Sequence, residues 1–359
     1  MPRHRSPATP PRLTSRRLAE QLGLAQSTVS MALRDHPAIN VETRRRVQER
    51  ARGLGYMPDG IARAMRTGAS RVLGFIAPKL GMSYFAEILE GVESGARERG
   101  YRCLIGQSQS NVARMADEVA LLRSQRVDGL VLIPVNSEEG LELYADLTGK
   151  GLRFVVVDVP LAGFETEFVG PDNRGAGRLA TQYLLGLGHR RIAWLRGYPR
   201  AANARLREQG YREALAKHRI RVDETLLAGD NFGVAAGEAA VEGLLRRNVR
   251  FTAIAASTDL QACGAIRVLH RDGFAVPGDV SVVGCSNLDF SALHTPAITS
   301  VDQKPGEVGR LAARRLIERI EGRASAPGSA LVAPELVVRD STARRAKRGP
   351  TEPRRSAGP

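Results

Sequence analysis

The pattern of apolar and polar positions changes once along the chain. Up to about residue 56, apolar residues recur every three or four positions, which is typical of short amphipathic helices. From Arg71 onward, apolar runs of strand length, such as Val72–Ala77 and Gly129–Ile133, alternate with amphipathic segments of helix length. Such alternation predicts parallel sheets with helices on both faces. We therefore expect a small helical unit followed by a large α/β core.

A helix-turn-helix is predicted early in the helical unit. Thr14 can cap a first helix, Gly23 ends it, and helical spacing resumes over Gln26–Arg34. The spacing of Ala19, Gly23 and Val29 is typical of this motif. The small alanine lets two helices approach, the glycine permits the tight turn, and the valine fills the space between the helices.

A third helix is predicted over Val41–Gly53. Asn40 can cap its first turn, and Val47 and Ala51 would close a three-helix core. A generic small helical bundle is the alternative interpretation of these three helices.

The charge distribution separates the same two parts of the chain. The sequence holds 53 Lys and Arg against 38 Asp and Glu, a net charge of +15. Residues 1–71 hold 14 basic against 5 acidic residues, and residues 339–359 hold 7 against 2, so the stretch between them is nearly neutral. A basic unit in front of a neutral core predicts nucleic acid as the partner of that unit.

Signatures of enzymes, metal sites and membrane proteins are absent from the sequence. The longest apolar runs have strand length and the first 14 residues contain no apolar segment, so we predict neither a membrane span nor a secretion signal. Three widely spaced cysteines favour a reduced, cytoplasmic protein. The chain has no nucleotide-binding glycine motif and no His or Cys pair at metal-ligand spacing. We therefore expect no catalytic residue, no metal and no cofactor.

The sequence resembles a known family over almost its whole length. The stretch LAEQLGLAQSTVSMALRDHPAINVETRRRVQERARGLGYMPDGIARAMRTG is similar to the headpiece of the LacI/GalR (lactose-repressor) family of transcription regulators. The segments YFAEILEGVE, RVDGLVLIP, LGHRRIAWLRG and VPGDVSVVGCSN continue the similarity in order to about residue 340. The resemblance implies an α-helical helix-turn-helix headpiece and an α/β core like that of periplasmic binding proteins. Such a core has two doubly wound parallel-sheet lobes with a ligand crevice between them.

These patterns and the resemblance predict the domain boundaries. The expected parts are a disordered leader (1–13), a headpiece (14–57), a hinge helix or linker (58–70), a core (71–340) and a basic disordered tail (341–359). Within the core, the first lobe is expected at about 71–170 and 303–331, and the second at about 171–302 and 332–340.

The resemblance implies that the second helix lies in the major groove of DNA. Gln26 and Ser27 would reach base edges at its N-terminal end. Met31 stands where many relatives carry arginine. A thioether cannot make the bidentate contact of arginine to guanine but can pack on a thymine methyl, so we expect an altered base preference there. A surface position without DNA contact is the alternative for Met31.

The other DNA-contacting candidates serve mainly to position the headpiece. Phosphate contacts fix the orientation of a protein on DNA without reading its sequence. The residues assigned to this group are Thr14, Thr28 and Ser30, with Arg44–Arg46, and Asn40 at the third helix completes the set. In the family, Pro58–Gly68 is a hinge that orders on operator DNA and wedges an apolar side chain into the minor groove. The resemblance places Met65 at the wedge and Ala62 one turn before it, and a solvated linker is the alternative.

The resemblance also implies which residues face an effector in the crevice. These are Tyr84, Phe85, Asp158, Asn203, Arg207, Phe232, Thr258, Asp259, Ser286 and Asn287. Aromatic rings that stack and polar groups that give directional hydrogen bonds suit a sugar or another small polyol. The alternatives are that Tyr84 and Phe85 are core residues and that Asp259 is a helix N-cap.

Two of these positions depart from the family pattern. Ser286 stands where sugar-binding relatives commonly carry aspartate, and Thr258 stands where some relatives carry asparagine. Because the lost carboxylate would lie beside Arg207, the crevice becomes more positive. We therefore expect an acidic sugar or another anionic metabolite at least as strongly as a neutral sugar.

The predicted function is a DNA-binding transcriptional regulator controlled by a small metabolite. Repression is the commoner outcome in the family. A homodimer on a near-palindromic operator is expected, because the sequence after residue 340 lacks the apolar residues of a tetramer-forming leucine heptad. The alternative is a sugar-binding or sugar-modifying α/β protein without regulatory DNA binding, which would leave the basic helical unit unexplained.

Overall fold

The computed structural model describes residues 14–56, 69–323 and 328–345 of the 359-residue chain. The chain divides into two compact units, Met1–Ser70 and Arg71–Pro359. The predicted hinge residues Ala62 and Met65 lie outside the described residues. No helix in the described ranges is both long enough and apolar enough to cross a membrane.

The described part of the first unit is formed by the helices α1 (Ser15–Leu22), α2 (Gln26–Ala32) and α3 (Val41–Gly53). The predicted caps and turn are confirmed. The Thr14 hydroxyl accepts a hydrogen bond from the Arg17 N–H, and Gly23 adopts the left-handed conformation with φ 63°. Asn40 caps α3 in the same way.

The core of this first unit consists of small and branched apolar side chains. Leu18 and Ala19 of α1 pack against Val29 of α2 and Val47 of α3. The helix α2 ends at Ala32, two residues earlier than its apolar spacing predicts, because the chain turns there and reaches a positive φ at residue 35.

The second unit alternates strands and helices. In chain order its elements are β1 (Val72–Ala77), α4 (Ser83–Glu98), β2 (Arg102–Gln107), α5 (Val112–Ser124), β3 (Gly129–Leu132), α6 (Glu138–Gly149), β4 (Phe154–Val157), β5 (Glu167–Pro171), α7 (Asn173–Gly186), β6 (Ile192–Leu195), α8 (Ala202–Lys217), a 3-10 turn (Glu224–Leu226), β7 (Leu227–Ala228), α9 (Val234–Arg246), β8 (Ala253–Ala256), α10 (Asp259–Arg271), β9 (Ser281–Cys285), α11 (Asp289–Leu293), β10 (Thr299–Asp302), α12 (Pro305–Ile320), β11 (Ser329–Val332) and β12 (Glu335–Val337).

Within the described residues, these strands form two six-stranded sheets. The first has the order β11-β5-β4-β3-β1-β2 and is parallel throughout. The second has the order β12-β10-β9-β8-β6-β7 and is parallel except for its edge strand β12. In both, the strand order reverses beside the first strand of the sheet, as in doubly wound folds that bind ligands at the carboxyl ends of their strands. The predicted fold class is confirmed.

The chain passes from one sheet to the other after β5, after β10 and between β11 and β12, as far as the described residues show. The helix α12 packs on α4 and on the first sheet. Asn173 follows the first crossing, and Gln303 lies on the second. Side chains at these two positions therefore lie where the lobes join.

Glycines let three helix pairs approach at backbone distance. A Cβ atom on Gly177 of α7 would overlap the Arg207 carbonyl oxygen of α8, and one on Gly210 of α8 would overlap the Arg174 carbonyl oxygen of α7. The same reciprocal arrangement joins two other helix pairs, α4 with α12 through Gly91 and Gly309, and α9 with α10 through Gly237 and Gly264. The close approach of α7 and α8 fixes the helical turn that carries Arg207.

The end of the core lies beyond the predicted boundary at residue 340. Ser341 is fully buried, and its hydroxyl donates to the Val282 carbonyl oxygen at 2.6 Å. The backbone N–H of Arg345 donates to the Leu187 carbonyl oxygen at 2.9 Å. The predicted tail therefore begins too early, because residues 341–345 satisfy backbone groups of the second lobe, and residues 346–359 lie outside the described residues.

Candidate functional site

A buried polar network lies at the carboxyl edge of the second sheet, where the lobes join. Arg207 of α8 is only 4% exposed. Its Nε donates to Asn173 Oδ1 at 2.8 Å, its Nη1 to the Ser257 carbonyl oxygen at 2.5 Å, and its Nη2 to Gln303 Oε1 at 3.2 Å. One guanidinium group thus joins the end of β8 to the first two of the three lobe crossings.

The hydrogen-bonding capacity of Arg207 is only partly used. A guanidinium has five N–H donors, and the three bonds above leave one donor on each terminal nitrogen without a partner among the described residues. All three acceptors are neutral, and within the described ranges Arg207 makes no ion pair. A buried cation without a paired carboxylate favours an anionic or polyhydroxyl ligand, and two terminal N–H groups match a carboxylate in bidentate geometry.

Ser286 belongs to the same network. Its hydroxyl donates to Gln303 Oε1 at 3.3 Å, and Gln303 Nε2 donates to Asn173 Oδ1 at 2.9 Å. The sequence predicted Arg207 and Ser286 but neither Asn173 nor Gln303. These two amides give no local signal, because they become part of a site only when the crossings bring them together.

Tyr84 and Asp158 form a second buried pair, on the first lobe. Tyr84 Oη donates to Asp158 Oδ1 at 2.9 Å. Burial raises the pKa of Asp158, while the bond from Tyr84 and the charge of Arg207 act in the opposite direction. Burial, and next the Asp158 charge, hold the pKa of Tyr84 well above its usual range. The rings of Tyr84 and Phe85 also pack in the first-lobe core, as the alternative interpretation held.

Asp259 is not a helix N-cap, which corrects the alternative interpretation of that residue. Thr258 is the N-cap of α10, because its backbone is extended and its hydroxyl accepts the N–H bond of the first turn. The fully buried Asp259 carboxylate accepts from the Leu288 N–H at 2.8 Å and from the hydroxyls of Ser291 at 2.9 Å and Ser300 at 2.6 Å. One carboxylate oxygen therefore holds the start of α11, and the other binds the strand β10.

Asn287 is fixed at both ends of its amide. Its Oδ1 accepts from Arg339 Nη2 at 2.6 Å, and its Nδ2 donates to Asp302 Oδ2 at 3.1 Å. Its backbone N–H also donates to the Ser300 hydroxyl at 3.0 Å. Asn287 is thereby tied to the residue that ends β10 and to the chain beyond β12.

The remaining predicted residues lie along the same carboxyl edge. The Thr258 hydroxyl donates to the Phe232 carbonyl oxygen at 2.8 Å. Phe232 is partly buried, and its ring meets the ring of Tyr198, which the sequence did not predict. Asn203 stands in the first turn of α8, where its Oδ1 accepts from the Ala204 N–H at 2.9 Å.

In the first unit, α2 carries the candidate DNA-reading residues. Gln26 and Ser27 are exposed, and Gln26 Nε2 donates to the Ser15 hydroxyl at 2.8 Å. Met31 is half-exposed, and the Ser30 hydroxyl accepts from Arg34 Nη2 at 3.3 Å. Polar groups without a role in the helical core thus stand at the start of α2, where side chains of a recognition helix reach bases.

Two arginines assigned to phosphates also stabilise the first unit. Arg46 Nη2 donates to the Leu22 carbonyl oxygen at 3.1 Å, and Arg44 Nη1 donates to the Asp35 carbonyl oxygen at 3.1 Å. These carbonyl groups follow or end helices and have no partner within the helix. Arg44 and Arg46 therefore connect α3 to the ends of the other two helices.

Glu87 of α4 predicts a pH dependence of core stability. Burial, and then the charges of Asp302, Asp289 and Glu90, raise its pKa to about 7. A carboxyl whose pKa is raised in the folded state loses stability as pH climbs from its ordinary pKa to the folded value. Because Glu87 is only partly buried, we expect a screened effect of about 1 kcal/mol between pH 5 and pH 8.

Glu87→Gln should therefore stabilise the core at pH 8 relative to the wild type and change it little at pH 5. Denaturant unfolding at the two pH values measures this difference. Glu90→Gln, which removes only the last of the three charges, should reduce the pH dependence by a smaller amount. A wild-type protein and a Glu87→Gln variant with parallel pH profiles would contradict the assignment.

Comparisons with known proteins agree with this architecture. A family model described as a periplasmic binding protein-like domain matches residues 181–342. The HTH-type transcriptional repressor CytR of Escherichia coli strain K12 is 31% identical over 92% of this chain and 96% of its own length. The chain is also similar to two solved structures, each over 92% of its length. One is a transcriptional regulator CelR–cellobiose complex (32% identity, TM-score 0.69, 100% of that chain), and the other is the Lac repressor dimer bound to operator and the anti-inducer ONPF (25%, 0.80, 99%).

Proposed function

The chain belongs to the LacI family of transcriptional regulators, and we propose that a small metabolite in its crevice controls its affinity for operator DNA. The observation that carries the proposal is the Arg207 network, in which a buried cation with two donors that have no partner among the described residues lies where two of the three lobe crossings meet. A ligand bound there would contact two of the three segments that join the lobes, and a change in lobe closure must move these segments. Such a ligand shifts the protein between states only by its different affinity for them.

The proposed effector is a small anion, such as a sugar acid. Arg207 has neutral acceptors, and Ser286 supplies a hydroxyl where an acidic residue would have paired with it. Of two ligands with the same hydroxyls, the one with a carboxylate gains charge-assisted bonds from the free donors. Cellobiose is the ligand in the CelR structure, so a neutral sugar is the competing class.

The test combines operator binding with a panel of matched ligands. The panel varies charge and ring closure independently and consists of glucose, sorbitol, glucuronate and gluconate with their galacto counterparts. An operator is first selected from random DNA by the purified protein, and fluorescence anisotropy then follows its binding with and without each ligand. The proposal requires that a charged member changes operator affinity more than its neutral counterpart, and it fails if only neutral members do so.

We further propose that residues 14–57 form the DNA-reading headpiece and that the hinge with Ala62 and Met65 couples it to the core. Gln26 and Ser27 would contact bases, and Thr14, Thr28, Ser30 and Asn40 would contact the backbone or support those contacts. The exposed first turn of α2 supports this assignment.

Met31 should set one base of the operator. We expect selection by the wild type to favour an A·T pair at the base facing this residue, because a thioether packs on a thymine methyl. Met31→Arg should shift the preference to guanine by about 10-fold or more, since a bidentate contact discriminates by about 1–3 kcal/mol. Thr28→Ala is the control and should weaken binding to all sequences alike. Selection of guanine by the wild type at this base would contradict the assignment.

A homodimer is the proposed assembly. The strand β2 lies at the edge of the first sheet, and its Leu104 and Ile105 are exposed, as is Leu121 of α5 (56%). Exposed apolar side chains on an edge strand favour association unless another surface covers them. A second copy that covers this edge of the sheet would present two headpieces to a near-palindromic operator.

We propose that the crevice binds its metabolite without converting it and that the protein acts in the cytoplasm. No group of three or more His, Cys, Asp or Glu suited to a metal occurs among the described residues. The Asp259 carboxylate is occupied by three protein donors, and Asp158 is bonded to Tyr84. An assay that detects turnover of a bound panel member would contradict this proposal.

A further inference from the structure

We propose that Tyr198 is a further effector-contacting residue and that, with Phe232, it selects an effector presenting the face of a closed ring. This inference rests on the effector-controlled function proposed above and names a feature of the effector that is independent of its charge. We call the two side chains the aromatic corner.

The backbone that carries Tyr198 is held in place. The loop between β6 and α8 turns at this residue, because the Ala201 N–H donates to the Tyr198 carbonyl oxygen at 3.0 Å. Arg205 Nη1 donates to the Arg200 carbonyl oxygen at 2.6 Å from the first turn of α8. Tyr198 therefore projects from a fixed loop.

The aromatic corner requires the glycine beside it. A Cβ atom on Gly197 would overlap the ring of Phe232, so the ring occupies space that any other residue would fill. The rings of Tyr198 and Phe232 meet edge to face, with centroids 5.2 Å apart and planes at 84°. Tyr198 is nevertheless 49% exposed. Half of a large aromatic surface is thus available to a ligand beside a second ring that holds it in place.

The aromatic corner adjoins the Arg207 network. Gln261 Nε2 donates to the carbonyl oxygens of Arg196 and Asn231, both at 2.6 Å, and these two residues lie in the strand-end loops that carry the corner. The Thr258 hydroxyl donates to the carbonyl oxygen of Phe232. The carbonyl oxygen of the preceding residue, Ser257, accepts from Arg207 Nη1. One segment, the start of α10, therefore connects the corner to the buried cation.

Two aromatic rings at right angles discriminate by shape. The face of a pyranose or of a nucleobase packs on an aromatic surface, whereas an open-chain polyol has no such face and loses more conformational entropy on binding. The shared chemistry is a ring with an accessible face. Whether a sugar or a nucleoside supplies it is decided by adding uridine and uridine 5′-monophosphate to the ligand panel.

The experiment measures ligand affinity by calorimetry for the wild type, Tyr198→Ala and Tyr198→Phe. We expect the wild type to bind one ring-closed ligand at least about 10-fold more tightly than its open-chain counterpart, at equal charge. Tyr198→Ala should weaken that ligand about 10-fold, and Tyr198→Phe should retain the affinity within about 2-fold because the ring face is kept. Arg247→Ala is the control, since this residue lines a surface cavity with Arg191 and Arg250, at the opposite, amino edge of the second sheet.

Three results would overturn the inference. These are equal affinity for ring-closed and open-chain partners, unchanged affinity in Tyr198→Ala, and no binding of any ring-closed ligand. Operator binding by the same proteins without ligand distinguishes a failure of this inference from a failure of the proposed regulatory function. If operator binding is intact, any of these results contradicts only the proposed role of the aromatic corner. If the wild type does not bind an operator, the proposed regulatory function is itself contradicted.

Discussion

Replacing Arg207 with alanine should lower the affinity for an anionic effector by about 100-fold or more, while operator binding without effector stays intact. Two charge-assisted hydrogen bonds to a carboxylate contribute about 3 kcal/mol or more together, which corresponds to this factor. The variant should also lose most of the preference of the wild type for charged over neutral panel members. Calorimetry with glucuronate and galacturonate against glucose and galactose measures both effects.

The effect of Arg207→Ala on stability should be much smaller than its effect on binding. The change leaves the Ser257 carbonyl without its 2.5 Å bond, but it also removes a cation buried among neutral acceptors. A lost buried hydrogen bond costs about 1–3 kcal/mol, and relief from burying an unpaired charge acts in the opposite direction. The free energy of unfolding should therefore change by less than about 2 kcal/mol.

Two further variants separate charge from geometry. Arg207→Lys keeps the charge but replaces the planar guanidinium with a single nitrogen, which cannot bind a carboxylate in bidentate geometry, and should therefore give an intermediate affinity. Arg212→Ala removes another arginine of α8, one that pairs with Glu224 at 2.6 Å, and should leave effector affinity within about 2-fold of the wild type. An Arg207→Ala protein that still prefers glucuronate over glucose would contradict the assignment of this residue.

The sequence predicted best those features that depend on neighbouring residues. Thr14, Gly23 and Asn40 have the side chains, or the lack of one, that helix ends require, and the structure uses each of them as expected. The alternation of apolar runs and amphipathic segments likewise predicted two doubly wound lobes. The helix ends depend on interactions that span only a few positions of the chain. The strand pairs of the lobes are distant in sequence, but the apolar pattern that predicts each strand and helix is local.

The polar network could not be predicted in the same way. Gln303 lies 96 positions from Arg207, and Asn173 lies 130 positions from Gln303. Neither amide differs locally from a surface residue, and only the two crossings bring them to the guanidinium. The error at Asp259 has a different origin, since Thr258 and Asp259 are both good N-cap residues and only the extended backbone of Thr258 decides between them.

The helical glycines are a further signal in the sequence. Glycines interrupt otherwise amphipathic helices at Gly91, Gly177, Gly210, Gly237, Gly264 and Gly309. A glycine inside a helix costs about 1 kcal/mol relative to alanine, so repeated placement there indicates a close approach of two backbones. Which helices approach each other still depends on the order of the strands.

The close approach of α7 and α8 makes Gly177→Ala the most damaging small substitution that we predict. The added methyl group would overlap the carbonyl oxygen of Arg207, a backbone atom that can move only with its helix. Separating the two helices should cost about 3 kcal/mol and lower the melting temperature of the core by about 6–10 °C. Because Arg207 moves with α8, its 2.8 Å bond to Asn173 lengthens, and effector affinity should fall about 10-fold or more.

Gly186→Ala supplies the matched control for this prediction. Gly186 is the last residue of the same helix, and a Cβ atom there would meet no heavy atom within 4 Å. Alanine favours a helix by up to about 1 kcal/mol, so this variant should be neutral or slightly more stable than the wild type. Scanning calorimetry of the two variants therefore compares one added methyl group in crowded and in open surroundings. Equal melting temperatures would mean that the α7–α8 crossing yields without cost, and that Arg207 is not positioned by the close approach of these helices.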